Sequence, residues 1–347
     1  MTALQGLARN PSLPAVLLER LIALNDTWLD RVLAGRADLS AAQAELLAAR
    51  SKQVLVELDC RIDPPTSAYE EALHQAGDPA TSPAVVAELV RHPDPSIRHV
   101  VARRTDLPPW ACEHLAKDPA VRRRIAANPA APEAVLRELA AKADRETRGA
   151  LVQNPSIPLD LLISLVALTG RSPVPRVSVA SEAELRALAS SSTPRVRMLA
   201  AQRHDLPTDV LALLLADPEP DVVAAVATNP ALTAAQLEDL VTRYGSRLSA
   251  RVAQNPNCTP ELLHLLARDR RLPGEACREI VKHPNTSAET VLLCLRDREA
   301  RRLAANRPDL PVATLAELVE DPYAGEAAAA NPSLPVHVME DLLNSTT

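Results

Sequence analysis

The sequence predicts an all-α fold, a right-handed α-solenoid of about 12 to 14 short repeats, each a short α or 3-10 helix followed by a longer α-helix. Three observations carry that expectation. The stretch Arg122-Arg123-Arg124-Ile125-Ala126-Ala127-Asn128-Pro129-Ala130-Ala131-Pro132, with Val135, Leu136 and Leu139 after it, is rewritten from Leu151 to Leu165 and again from Val252 to Leu266. Thirty-one Pro against eight Gly recur at fixed offsets inside apolar segments, where they punctuate and do not disorder the chain. Apolar residues fall on one helical face, as Leu262, Leu263 and Leu266 do, and no alternating strand pattern occurs.

Taken in order, the unit is already complete at Asn10-Pro11-Ser12-Leu13-Pro14 with Leu17, Leu18 and Leu21. Residues 25–76 read as degenerate repeats: Arg36-Ala37-Asp38-Leu39-Ser40 keeps the turn without its prolines, and Arg61 to Leu73 keeps a trace. The unit returns at Asp78-Pro79, Arg104, Asn128 and Asn154, which closes a first sub-array over 1–168. Residues 169–177 read as an inserted loop, Thr169-Gly170-Arg171-Ser172-Pro173-Val174-Pro175 at its heart, and 178–347 as a second sub-array of the same continuous solenoid. That half runs through Arg203, Asn229, Asn255, His283, Arg307 and Asn331; the interval collapses around Asp269 to Pro284, which suggests a truncated unit. Clean intervals are 24–26 residues, as from Arg104 to Asn128 and from Asn128 to Asn154.

Each unit has two starts. Asp-Pro, as in Asp118-Pro119, Asp217-Pro218 and Asp321-Pro322, opens the short helix, because Asp accepts N–H bonds at a helix start and Pro suits its first position. Asn-Pro then interrupts that helix, since the residue before Pro is pushed out of the α region. Pro132, Pro158 or Pro207, or a capping Thr233, Thr259 or Ser287, starts the longer one. About 25 residues cannot bury such a unit alone, so neighbours must stack.

Units of this form, Asp118 to Ala140 and Asp217 to Leu240 among them, resemble the bacterial leucine-rich repeat variant family, clearly over about 79–168 and 195–343. The resemblance implies α and 3-10 helices alternating in a superhelical solenoid. Some members carry an iron–sulfur domain held by clustered cysteines ahead of the repeats. No such cluster occurs here, so that cofactor is not carried over.

Composition narrows the function. Aromatics make up 1% of the chain, with no Phe, so the core is built of Leu, Val and Ala. A net charge of -6 gives no global attraction to nucleic acid or anionic membrane. Cys60, Cys112, Cys258, Cys277 and Cys294 show no C-x-x-C pair and read as core filling. No signal peptide or membrane-length apolar run is visible, which points to the cytoplasm.

Candidate site residues are few. Arg98, Arg122, Arg148 and Arg197 each precede a turn by six residues, forming either a basic binding stripe or a structural ladder with Asp94, Asp118, Asp144 and Asp217. The recurrence of both signs at repeat spacing favours the ladder. The densest basic stretch offers a partner-binding patch of Arg91, Arg98, Arg103, Arg104, Arg122, Arg123 and Arg124. Trp28 and Trp110 read as local core plugs or end-cap contacts, and His92, His204 and His283 as turn caps or solvated groups. Glu133, Glu138, Glu238, Glu261 and Glu317 fall on polar helix faces, and no catalytic, cofactor or metal motif is present. The expectation is a non-catalytic scaffold binding an unidentified protein or peptide on its curved surface; a nucleic-acid-binding or repair-type helical repeat protein is the alternative.

Overall fold

A computed structural model describes residues 2–55, 67–166 and 174–345. They are all-helical, with no strand among the described residues. Contacts gather the chain into two compact units, Met1–Arg61 with Leu232–Thr347, and Ile62–Ala231. In chain order the first unit begins with α1 (Thr2–Arg9), α2 (Ala15–Ala23), α3 (Thr27–Leu33) and α4 (Ala41–Leu55). The second holds α5 (Ser67–Gly77), α6 (Pro83–Leu89), α7 (Pro95–Val101), α8 (Pro109–Ala116), α9 (Arg122–Ala127), α10 (Glu133–Ala141) and α11 (Arg145–Val152). It continues with α12 (Leu159–Val166), α13 (Pro175–Ser178), α14 (Glu182–Ala189), α15 (Pro194–Ala200), α16 (Thr208–Leu215) and α17 (Pro220–Val226). The first unit resumes with α18 (Ala234–Tyr244), α19 (Ser249–Ala253), α20 (Pro260–Arg268), α21 (Gly274–Lys282) and α22 (Ala288–Cys294). It ends with α23 (Arg298–Ala304), α24 (Val312–Val319), α25 (Gly325–Ala329) and α26 (Val336–Asn344). Cys60 and Thr169 to Pro173 lie outside the described residues; Pro175–Ser178, across the end of the expected loop, forms one helical turn that buries Val177.

Local chemistry sets the helix starts. Ser181 and Thr233 close capping boxes with Glu184 and Gln236, and Ser82, Thr259 and Ser287 each accept an N–H three residues on. One face of each longer helix is then buried: Leu262, Leu263 and Leu266 in α20, and Val135, Leu136 and Leu139 in α10. Helices in equivalent positions stack from repeat to repeat, α9 on α11 and α15 on α17 in one unit, α19 on α21 on α23 on α25 in the other.

One expectation, α or 3-10 for the short helix, is narrowed, and two change. The short elements are α-helical; among the described residues the 3-10 form appears at Gly245–Arg247, leading into α19. Asp-Pro does not itself open the short helix at Asp118, Asp217 and Asp321. Their carboxylates accept the N–H of Ala120, Glu219 and Tyr323 two residues on, making a turn that precedes the helix. Asp94, expected as a ladder partner, instead caps α7 with Pro95 at the first helical position, accepting from Ser96. Finally, the unit around Asp269 is not truncated: α21 fills the short-helix slot between α19 and α23, and Asp269 merely turns the chain by accepting from Arg271.

The turn residue has a second role. Asn128 Nδ2 donates to the carbonyls of Ala102 and Arg104 at 2.7 Å each, one repeat back, while its Oδ1 accepts from Ala130 N–H at 2.8 Å. Those carbonyls end the previous short helix and would otherwise lack partners. Asn154 and Asn331 repeat the clasp. Arginine substitutes for it at Arg36, Arg104, Arg203 and Arg307, each also held by an Asp two residues on. His283 does the same with one ring: Nε2 donates to Asn255 O and Nδ1 accepts from Asn285 N–H, which defines the Nε2-protonated tautomer.

The same clasp joins the chain ends. Asn10 Nδ2 donates to Ala329 O at 2.9 Å and Asn331 O at 2.7 Å, so the first repeat stacks on the last as its successor. α1 lies directly on α25, and the α-carbon of Gly6 sits so near the Glu326 carbonyl that any side chain would collide with it. Arg9 pairs with Glu326 and Arg20 donates to Asn344 across this junction. The first unit is therefore one stack in which residues from the end of the chain precede those from its beginning.

Candidate functional site

The arginines divide by register. Those six residues before a turn reach forward to the next repeat: Arg98 to Asp118 at 2.7 Å, Arg122 to Asp144 at 2.8 Å and Arg197 to Asp217 at 2.6 Å. Arg301 to Asp321, at 2.5 Å, extends the series. Arg148 instead donates to Ala143 O. Burial works to raise the Asp118 and Asp217 carboxyls, but neighbouring N–H groups and the arginine outweigh it, leaving both below the usual range. Arg98 also donates to His92 O and Pro93 O. These residues brace neighbouring repeats.

Of the remaining basic residues, Arg104 is buried in a clasp, and Arg91 covers the Trp110 ring at 5.4 Å. Arg103, Arg123 and Arg124 are exposed. Arg123 reaches Glu146 at 3.0 Å in a solvent-exposed pair. Arg124 Nε donates to His99 Nε2 at 2.8 Å, a neutral acceptor that leaves its charge uncompensated. Burial, then the charges of Arg124 and Arg103, hold His99 below its ordinary value, which favours the neutral imidazole that accepts from Arg124. The basic patch thus splits, with Arg122, Arg123 and Arg124 facing one cleft and Arg91 and Arg98 lining another depression with His114 and Lys117.

The first cleft, about 910 Å³, runs between α9 and α11. Its walls are Arg122 to Arg124 on one side and Asp144, Arg145 and Glu146 on the other, with Gly149 and Gln153 along α11. Gly149 is unusual. It sits inside α11, where Gly costs helix stability, yet a Cβ there would meet nothing within 4 Å. Neither packing nor backbone conformation asks for glycine, and its bare face lines the cleft. Sequence reading passed over Arg145, Gly149 and His99, although a glycine within a helical repeat in a chain with eight glycines was a visible signal.

Both tryptophans correct the core-plug expectation. Trp28 and Trp110 are 41% and 39% exposed, each beneath a guanidinium, Arg9 at 5.6 Å for the former. Standing in the first turn of α3 and α8, they point away from the buried stripe. Cys112, Cys258, Cys277 and Cys294 are buried, and burial pushes the Cys112 and Cys258 thiols up to about 11 and about 12. Such thiols behave as small apolar groups. His283 proves a buried turn cap, and the five glutamates noted above are exposed. No helix among the described residues is long and apolar enough to cross a membrane.

Residues 221–284 match the Leucine Rich Repeat Variant domain. No curated protein and no solved structure matches the chain.

Proposed function

We propose that this chain, a member of the leucine-rich repeat variant family, is a non-catalytic scaffold that binds a protein or peptide along the exposed face of its short helices. The observation that carries the reading is the division of labour among side chains. Residues that recur along the chain are taken up by turns, clasps and the Arg–Asp ladder. Residues that differ between most copies, Arg123, Arg124 and Gly149 among them, line the open cleft beside the ladder pair Arg122 and Asp144. A surface whose varying positions face solvent while its repeated ones hold the stack can change partner without changing fold. A right-handed superhelical course for the stacked repeats is part of the same proposal, as is a cytoplasmic site of action.

Selection of an unbiased displayed-peptide library on the full chain tests this. Enriched peptides that bind the free chain and lose binding on Arg123→Glu are expected. Failure to enrich any peptide, or recovery of nucleic acid alone by the purified chain, would overturn the reading in favour of the nucleic-acid alternative or of neither.

A further inference from the structure

Resting on that reading, we infer that the cleft between α9 and α11 takes an acidic peptide segment, whose carboxylates are received by Arg124 and Arg145. Charge decides the chemistry. Arg122 and Arg123 are matched by Asp144 and Glu146, whereas among the described residues Arg145 has no carboxylate partner and Arg124 is held only by the neutral His99. Arg103, close enough to depress His99, adds a further exposed cation at this end. Two uncompensated guanidiniums across one open cleft ask for two anionic groups.

The existing contacts give way easily. A carboxylate is a stronger acceptor for a guanidinium than an imidazole nitrogen, so an incoming Glu or Asp displaces His99 from Arg124. The Arg123–Glu146 pair is exposed at 65% and 75%, and exposed pairs of this kind contribute little and exchange readily. Gly149 leaves room for peptide backbone against α11, and about 910 Å³ suits a short segment. Nucleic acid fits less well: Asp144 and Glu146 stand on the cleft wall, the chain carries a net charge of -6, and no Phe, Tyr or Trp lines the cleft, His99 being its one ring and already engaged by Arg124. The carboxylates that repel a phosphate backbone are compatible with a peptide that also carries a basic residue.

Fluorescence polarisation on the full chain would use a labelled ten-residue Glu/Gly peptide, its Gln/Gly counterpart and an oligo-dT of equal charge. The acidic peptide is expected to bind at least tenfold tighter than the other two, and more weakly as salt rises. Arg124→Ala and Arg145→Ala should each weaken it at least threefold without moving the melting temperature. Gly149→Leu, whose Cβ meets nothing within 4 Å, should weaken it while the chain melts no lower; Arg243→Ala, in the other unit, should change nothing. Equal binding of the Glu and Gln peptides, tighter binding of oligo-dT, or indifference to Arg124→Ala and Arg145→Ala would overturn the inference. If the unbiased library yields neutral peptides that bind while the acidic peptide does not, the scaffold reading survives and the acidic specificity falls.

Discussion

Asn128 joins three groups at once, the carbonyls of Ala102 and Arg104 behind it and the N–H of Ala130 ahead, all in a buried setting. Asn128→Ala strands the two carbonyls and should lower unfolding free energy by about 2–4 kcal/mol, read by urea denaturation. Gly149→Ala runs the other way. With nothing to collide with, it removes the helical cost of glycine and should stabilise by about 0.5–1 kcal/mol. A loss at Gly149→Ala would show that the glycine is structural. The Arg-x-Asp turns add a pH dependence. Hydrogen bonds from Arg36, Arg104, Arg203 and Arg307 hold Asp38, Asp106, Asp205 and Asp309 below the usual carboxylate range. A depressed folded value means stability that is fully present above the unfolded value, about 3.9, and lost as pH falls below it. Acid melts from pH 5 to 2 should therefore fall less steeply in Asp106→Asn; an unchanged slope would remove this cause. What could be read from sequence at this scale was the place of the turn, because Pro marks it. The clasp was hidden, because Asn, Arg and His share no pattern class, only a donor that reaches carbonyls one repeat earlier.

At the scale of the element, the longer helices were readable from period and caps alone, Thr233 with Gln236 and the Leu262, Leu263, Leu266 face being the clearest. Short helices were harder. In α9, Arg122 and Arg124 look alike in sequence, but at about 100° per residue they stand about 200° apart around the helix, so one braces Asp144 and the other faces His99. Helix direction, not residue type, separates the arginine matched by a carboxylate from the one left on an imidazole, and a run of three arginines conceals it. Around Asp269 the turn spacing misled because α21 lengthens its helix to nine residues, shifting the prolines while preserving the stack.

At the scale of the whole molecule, the junction of α1 with α25 was beyond sequence reading, since it joins residues over three hundred positions apart through an ordinary repeat interface. Its signal, Gly6 within α1, means little until Glu326 is placed against it. Gly6→Val should deprotect the amides of α1 and α25 together in hydrogen exchange and leave α9 to α11 unchanged. Loss of protection confined to α1 would show that the chain ends do not fold as one stack. Pairing first repeat with last also covers a stacking face that each would otherwise expose, the usual weakness of repeat arrays.

The division between residues that hold the repeats and residues that bind is tested most directly by comparing Arg98→Ala with Arg124→Ala, each measured for thermal melting and for affinity toward the Glu/Gly peptide. Arg98→Ala, which removes a half-buried pair with Asp118 and two carbonyl contacts, should cost about 1–2 kcal/mol and leave peptide affinity intact. Arg124→Ala should leave melting intact and weaken the peptide at least threefold. The reverse outcome, binding lost at Arg98 and stability lost at Arg124, would contradict the assignment of repeated residues to the fold and of unrepeated ones to the partner.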